Sequence, residues 1–462
     1  MNDILVVGLA VMGKNLAMNI ADRDYQVAVY NRTYQRTLDA VAQDVRLKGY
    51  ENIQEAVNSL KSPRKILLMV KAGQPVDDFI QLVLPYTNEG DLIIDGGNSN
   101  FLETIRRAQE VESTGRYYMG LGVSGGEEGA RFGPALMPGG SEQGYELVKD
   151  ILQDIAAVAY GEPCTSYIGA DGSGHYVKMV HNGIEYGDMQ LIAEAYHMLK
   201  ASTKLTNDQI ADIFEEWNQG ELESYLIEIT SEILRVKDGD GYLVDKIMDK
   251  AGQKGTGKWT VISSMDLGVD TSLIASSVYA RIISSLKTQR VIASKVLTGP
   301  QVQKNSDTDF VEKVRQALYA SKIMSYAQGF ALLQEAAIEH QWQLNYENIA
   351  KGWRGGCIIR AQFLNRIAQA YAKDSSLNNL LLDPEFKQTI ESYQGSLRQV
   401  VSLGIASGIP LPGFSSAIAY YDSYRSDWLP ANLIQAQRDF FGAHSFERLD
   451  QEGDFHYEWT QL

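Results

Sequence analysis

The chain has 462 residues, 44% of them hydrophobic and 22% charged, a globular composition too long for one ordinary core, so two or three domains are expected. Its formal net charge of −16 argues against a nucleic acid or an anionic membrane as partner, and any anionic ligand must be met by local cationic clusters. Cys164 and Cys357 are the only cysteines, which supports neither a disulfide framework nor a thiolate metal site and fits a reducing cytoplasm.

The start, MNDILVVGLA, has neither the basic region nor the cleavage site of a signal peptide, and no apolar run approaches the roughly 18 residues of a membrane span. A cytoplasmic protein is expected. Strands are expected at Ile4–Val7, Val27–Tyr30, Ile66–Val70, Leu92–Asp95 and Tyr117–Leu121, and all but the last lead through a turn into a segment of helical period. Continuous β-branched runs between helices predict a parallel sheet buried on both faces, hence a doubly wound α/β fold. From about His175 the texture changes to long stretches rich in Ala, Leu, Ile, Gln and Glu. Ser173 and Gly174, in the break GADGSG, can begin a long helix, and 176–430 reads as all-helical. The predicted organisation is a Rossmann-like domain over 1–175, a large all-α domain over 176–434 and a tail over 435–462. That tail carries Phe440, Phe441, Phe446, Phe455, Tyr457 and Trp459, too short for a domain and too aromatic to be free.

Within the first βαβ unit, Gly8, Ala10 and Gly13 form G-x-A-x-x-G. Gly8 permits the tight turn, Gly13 allows close helix–strand packing, and small Ala10 leaves room for a pyrophosphate at the helix N-terminus. A dinucleotide site is expected there. At the end of the second strand an NAD site usually has Asp or Glu, whereas this chain reads Asn31, Arg32, Thr33. A guanidinium pairs with a 2′-phosphate, so NADP is the expected cofactor.

In GSGHYVKMVHNGIEYGDMQ, helical geometry puts Lys178, His181, Asn182, Glu185 and Tyr186 within an arc of about 140°, opposite Val180, Ile184 and Leu191. A solvated face would favour Lys/Glu pairs over this mixture. Lys178 and Glu185, roughly 10 Å apart along two turns, can flank one small substrate as base and acid. The lysine must then be neutral and the glutamate protonated, which needs burial or neighbouring charges. DGGNS (Asp95–Ser99) lies at the carboxyl edge of the sheet, where such folds bind ligands. Ser124, Gly125 and Gly126 form a turn whose amides can hold a carboxylate. QKGTGKW lacks the P-loop spacing and is weak by itself. No Asp or His cluster has metal-ligand spacing, so no metal is expected.

With these pieces in view the sequence resembles the 6-phosphogluconate dehydrogenase family of the β-hydroxyacid dehydrogenase superfamily. The resembling segments are GLAVMGKNLAMNI, NRT, VKAG, IIDGGNS, GVSGGEEGARFGPALMPGG, GHYVKMVHNGIEYGDMQLI, AGQKGTGKW, QALYASKI, WRGGCIIR and LIQAQRDFFGAH, in family order over residues 8–444. The resemblance implies oxidative decarboxylation of 6-phosphogluconate to ribulose 5-phosphate with NADP, a reaction of the pentose phosphate pathway. It implies NADP contacts from Gly8, Leu9, Ala10, Val11, Met12, Gly13, Asn31, Arg32, Thr33, Val70, Lys71 and Ala72, with Asn98 facing cofactor and substrate. It implies substrate contacts from Ser124, Gly125, Gly126, His181, Asn182, Tyr186, Lys254 (rather than Lys258) and Arg281. Arg438 and His444 would reach the partner's site in a homodimer. Lys178 is the implied base and Glu185 the implied acid. Two other expectations stay open: a shorter-chain type of β-hydroxyacid dehydrogenase acting on hydroxyisobutyrate, and a non-catalytic NADP sensor.

Overall fold

The computed structural model describes residues 1–305 and 309–459; residues 306–308 of the expected helical region and 460–462 of the expected tail lie outside them. The chain forms two compact units, Met1–Ala417 and the segment from Ile418 onward.

The first unit opens with alternating elements: β1 (Ile4–Val7), α1 (Val11–Ala21), β2 (Val27–Tyr30), α2 (Tyr34–Gln43), β3 (Lys48–Tyr50), α3 (Ile53–Asn58), β4 (Lys65–Leu68), α4 (Gln74–Val83), β5 (Leu92–Asp95), α5 (Phe101–Glu112), β6 (Tyr117–Val123), α6 (Gly126–Phe132), β7 (Leu136–Gly140) and α7 (Glu142–Ile155). The sheet order is β3-β2-β1-β4-β5-β6-β7. Side-chain alternation divides its core by parity. Ile4 and Val6 face one layer with Leu16, Ile20 and Leu152, while Leu5 and Val7 face the other with Val57, Ile80 and Val111.

The first six strands pair in parallel, but β7 runs antiparallel to β6, with Val123 opposite Leu136 and Met119 opposite Gly140. The sheet is therefore mixed at this edge, where the sequence reading expected only parallel pairing. Its residues, LMPGG, hide a strand behind a proline and two glycines, which only an edge strand tolerates. The short β3, KGY, was not expected either.

Helix α8 (Ser173–Ser202) is 30 residues long and lies against β6 and β7. It meets them at backbone distance because the facing positions are glycine. A Cβ on Gly139 would sit 2.2 Å from the Gly174 nitrogen, one on Gly174 would sit 2.4 Å from the Met137 oxygen, and one on Gly122 would sit 2.6 Å from Lys178 Cβ. The remaining helices are α9 (Asn207–Trp217), α10 (Tyr225–Arg235), α11 (Leu243–Lys246), α12 (Thr256–Asp266), α13 (Ser272–Ser285), α14 (Lys287–Val296), α15 (Phe310–Glu339), α16 (Tyr346–Gly352), α17 (Phe363–Lys373), α18 (Pro384–Ala406), α19 (Pro412–Tyr424) and α20 (Ala431–Gly442). Helix α15, also 30 residues, is buried along most of its length and packs against α8 and α18. A two-residue hairpin pairs Lys237–Asp238 with Gly241–Tyr242, a small exception to the all-helical reading.

In the second unit Asp439 of α20 is wholly buried and organises the residues after the helix. It accepts hydrogen bonds from Ser445 N (3.0 Å), His456 Nδ1 (2.8 Å), Tyr457 N (3.1 Å) and Trp459 Nε1 (2.7 Å). The Trp459 ring gathers Phe440, Phe446 and Tyr457, so part of the expected aromatic packing occurs inside the tail itself.

The glycine contact predicts a paired result. Gly139→Ala, which forces backbone atoms apart, should destabilise the protein by about 1–3 kcal/mol, read as a lowered thermal midpoint. Gly395→Ala, at an exposed α18 position where the added Cβ meets nothing within 4 Å, should be neutral or stabilising.

Candidate functional site

Two cavities lie at the carboxyl edge of the sheet. The first, of about 520 Å³, includes Gly8, Ala10, Asn31, Arg32, Thr33, Val70 and Lys71 in its wall. Gly8 has φ +97°, and a Cβ there would sit 2.5 Å from the Met69 oxygen; one on Gly13 would sit 1.9 Å from the Gly8 oxygen. Both positions admit only glycine. Ala10 is the N-cap of α1, whose first turn carries no acidic residue to occupy its free N–H groups. Leu9 N donates to Asn31 Oδ1 at 3.0 Å, and Asn31 Nδ2 donates to the Thr33 oxygen at 3.0 Å. The Asn31 amide thus stitches the glycine turn to the end of β2. Arg32 and Lys71 make no ion pair among the described residues, and neither does Arg36, a third cation in the wall that sequence reasoning missed. Its signal was local: Arg36 stands three residues beyond Thr33, in the first turn of α2.

The second cavity, of about 990 Å³, shares Val70 and Lys71 with the first and adds Ala72, Asn98, Asn182, Glu185, Tyr186, Lys254 and Arg281. The loop carrying Asn98 is held from below. Asp95 is fully buried, accepts from Gly97 N at 3.0 Å and from Ser99 Oγ at 2.6 Å, and a Cβ on Gly97 would sit 2.9 Å from the Val70 oxygen. Arg107, buried on α5, donates to the Gly73 oxygen at 3.1 Å and pairs with Asp77 at 2.8 Å, pinning the neighbouring loop. Tyr186 lies between Gly257, where a Cβ would come within 2.6 Å of its ring, and Arg281, whose guanidinium carbon stands 3.5 Å from the ring centroid. Arg281 also donates to the Gly252 oxygen at 3.1 Å, holding the loop that presents Lys254. Lys258 is exposed and does not line the cavity.

Lys178 and His181 are buried on α8 behind that cavity wall. Lys178 Nζ donates to Asn182 Oδ1 at 2.9 Å and lies 3.5 Å from His181 Nδ1, which is 3.1 Å from the same Asn182 oxygen and 3.9 Å from Glu185 Oε2. Burial pushes the Lys178 amine below the ordinary lysine range, although Glu185 and Cys357 pull it back. Burial raises the Glu185 carboxyl, with Asp188 adding to the rise and Lys178 and Arg281 opposing it. Burial and the Lys178 charge hold His181 neutral, its ring edge-on to Trp353 at 5.5 Å. The stripe is therefore not a solvated face.

Other expected residues fall elsewhere. Ser124 Oγ is buried with no hydrogen-bond partner among the described residues, and Gly125 and Gly126, with φ +107° and +62°, form the turn into α6. Gly125 lines a separate cavity of about 200 Å³ with Gly356 and Cys357. Val11 and Met12 sit in the first turn of α1, outside the lining of either large cavity. Arg438 and His444 belong to the second unit, where both are exposed and Arg438 donates to Gln435 at 3.1 Å. His175 was missed. It is buried one turn before Lys178, bonded through Nδ1 to Thr104 Oγ1 at 2.7 Å, a partner 71 residues away that no local pattern reveals. Among the described residues no group of three or more His, Cys, Asp or Glu is arranged to hold a metal, and no helix is long and apolar enough to cross a membrane.

This geometry has close counterparts. The NAD binding domain of 6-phosphogluconate dehydrogenase matches residues 3–169, and the C-terminal domain of 6-phosphogluconate dehydrogenase matches residues 174–459. A decarboxylating 6-phosphogluconate dehydrogenase of Klebsiella pneumoniae is 59% identical over 461 residues, 99% of this chain and 98% of that protein. One from Lactococcus lactis subsp. lactis is 58% identical over 461 residues, covering 98% of each. The Plasmodium falciparum 6-phosphogluconate dehydrogenase, solved in apo form, with its cofactor NADP+ and with its substrate 6-phosphogluconate, superposes with a TM-score of 0.97 at 45% identity, over 99% of this chain and 100% of that one. Identity at this level, sustained over the whole chain, settles the matter: the chain belongs to the 6-phosphogluconate dehydrogenase family.

Proposed function

We propose that this protein oxidises and decarboxylates 6-phospho-D-gluconate to D-ribulose 5-phosphate and CO2 with NADP, as in the pentose phosphate pathway. The observation that carries the reading is a depressed lysine and a raised glutamate on one helix, next to a cavity that shares its wall with a dinucleotide cleft. The glycine cradle at Gly8 and Gly13, the amides after Ala10, and Arg32, Arg36 and Lys71, which form no ion pair among the described residues, fit a dinucleotide bearing a 2′-phosphate. NADP held there supplies the hydride acceptor.

Neutral Lys178 takes the proton of the substrate 3-hydroxyl as C3 is oxidised to a ketone. The resulting ammonium then donates to that ketone oxygen while the C1–C2 bond breaks, CO2 leaves and its electrons form an enediol. Glu185 protonates the carbon that becomes C1 of the product as Lys178 recovers the enediol hydroxyl proton. Lys178 must start neutral, so activity falls as pH drops through its depressed value. Glu185 must start protonated, so activity falls as pH rises through its raised value. Asn98, Ser124, Gly125, Gly126, His181, Asn182 and Tyr186 are assigned to substrate hydroxyls and carboxylate, and Lys254, Arg281, Arg438 and His444 to its anionic groups.

Residues 1–175 form the cofactor domain in this reading, 176–434 the substrate and dimer domain, and 435–462 a tail that completes the partner's site in a homodimer. Exposed Tyr279, Ile283, Ile292 and Val296 on α13 and α14 support a subunit interface. Two buried free cysteines suit the reducing cytoplasm.

Three experiments test this. NADPH formation at 340 nm, with CO2 measured alongside, should be strong for 6-phosphogluconate and weak for unphosphorylated sugar acids. Arg32→Asp should lower the NADP/NAD ratio of kcat/KM at least about tenfold, because a charge-assisted pair contributes about 1.5–3 kcal/mol; an unchanged ratio would remove Arg32 from the cofactor site. Inactive Lys178→Met and Arg438→Ala chains, unfolded and refolded together, should regain activity, since a heterodimer with exchanged tails has one intact site. A mixture that stays dead would show that each tail serves its own chain.

A further inference from the structure

Asp188 lies one turn beyond Glu185 on α8, 2% exposed. Its Oδ2 accepts from Lys322 Nζ at 2.6 Å and from the Tyr326 hydroxyl at 3.2 Å, both on α15, while its Oδ1 is buried with no partner among the described residues. The two long helices approach closely here: a Cβ on Gly187 would sit 2.4 Å from Ser325 Oγ. Burying such a pair costs desolvation that its mutual attraction seldom recovers, and an apolar seam would join the helices with less penalty. Its presence one turn from the acid calls for another account.

We propose that Asp188 and Lys322 are positioning residues for Glu185, holding a fixed negative charge beside the acid so that it keeps its proton until the enediol forms. This rests on the assignment of Glu185 as the proton donor to C1. The charges around Glu185 leave few alternatives. Lys178 stands on its own helix, Arg281 on α13 and Lys254 on the cavity loop, all cationic when protonated. His181 is neutral. On the other side, burial pushes the Cys357 thiol up to about 12 and the Tyr326 phenol well above its ordinary value, so both are neutral. Asp188 is the one carboxylate among the described residues that opposes these cations. It can do so only while ionised, and burial works against that; Lys322 and Tyr326 are what hold its charge. The pair is thus one device: Lys322 keeps Asp188 charged, and Asp188 adds to the burial that favours the protonated form of Glu185.

The test uses the full-length enzyme and two readouts of Glu185: the basic limb of the kcat profile, and the pH at which the C1 hydron of ribulose 5-phosphate exchanges with D2O. Asp188→Asn, nearly isosteric and still an acceptor for Lys322, should move both to lower pH by about one unit. Lys322→Met should do the same, because uncompensated Asp188 then takes up a proton. The double variant should shift no further than either single one, the mark of two residues acting through one charge. A merely structural pair would change kcat and stability without moving the limb. The proposal is overturned if the limb stays in place in either variant that still binds NADP, or if the two shifts add. Glu185→Gln separates the two assumptions: if it retains the basic limb, the assignment of Glu185 is at fault and not the role of the pair.

Discussion

The site depends on how closely α8 approaches the edge of the sheet. Glycines at 122, 139 and 174 let a helix and two strands meet at backbone distance, and that contact sets the height at which Lys178 emerges. Any side chain at Gly139 would lift the helix away from β7. The close approach is also what buries the helix's polar stripe. With the Lys178 stem seated against the bare backbone of Gly122, the residue is buried on α8, so its depressed basicity and its position share one cause. The strand that supplies half of this floor is β7, whose proline and glycines make it a poor strand by propensity. Packing against α8 and pairing with β6 override that propensity.

A chain of net charge −16 that handles anions has to keep cations unpaired where they are needed. Many of its arginines are spent in ion pairs: Arg46, Arg64, Arg106, Arg107, Arg235 and Arg315 each hold one or more carboxylates. Arg32, Arg36 and Lys71 around the first cavity hold none among the described residues, and Arg281 is engaged by a carbonyl, a thioether and an aromatic face. Local composition therefore departs from the global charge where an anion would dock, because short-range fields outweigh a diffuse net charge screened by salt.

How much the residues revealed in advance depends on the range of the interactions involved. Strands β1, β2 and β5 were legible to the residue because buried parallel strands are short, apolar and bounded by turns. The geometry of the glycine turn and of the end of β2 was legible because it lies in consecutive residues, and the stripe of α8 because helical period converts spacing into a face. β3 and β7 were not, since edge position and tertiary pairing sustain them. Asp439 was not singled out from the sequence; its role as acceptor for four donors comes from loops that return over up to twenty residues. The link between Asp188 and Lys322 spans 134 residues and joins two helices through a contact that neither segment shows by itself. Long-range polar contacts leave no period in the sequence.

The base and acid proposed above, held on one helix, raise a difficulty of their own. Neutral lysine and protonated glutamate are both the wrong forms for water, and burial favours both at once because it penalises charge of either sign. The same burial strengthens their mutual attraction, which would restore the charged forms as an ion pair. The geometry answers by giving the amine another partner. Lys178 Nζ turns to the Asn182 amide oxygen at 2.9 Å, a neutral acceptor that stabilises a lysine without fixing its charge. His181 stands between, its ring held neutral 3.5 Å from the amine and 3.9 Å from the carboxylate. No carboxylate lies within 4.0 Å of Lys178 among the described residues, so no salt bridge fixes the amine in its charged form, as the proposed base requires.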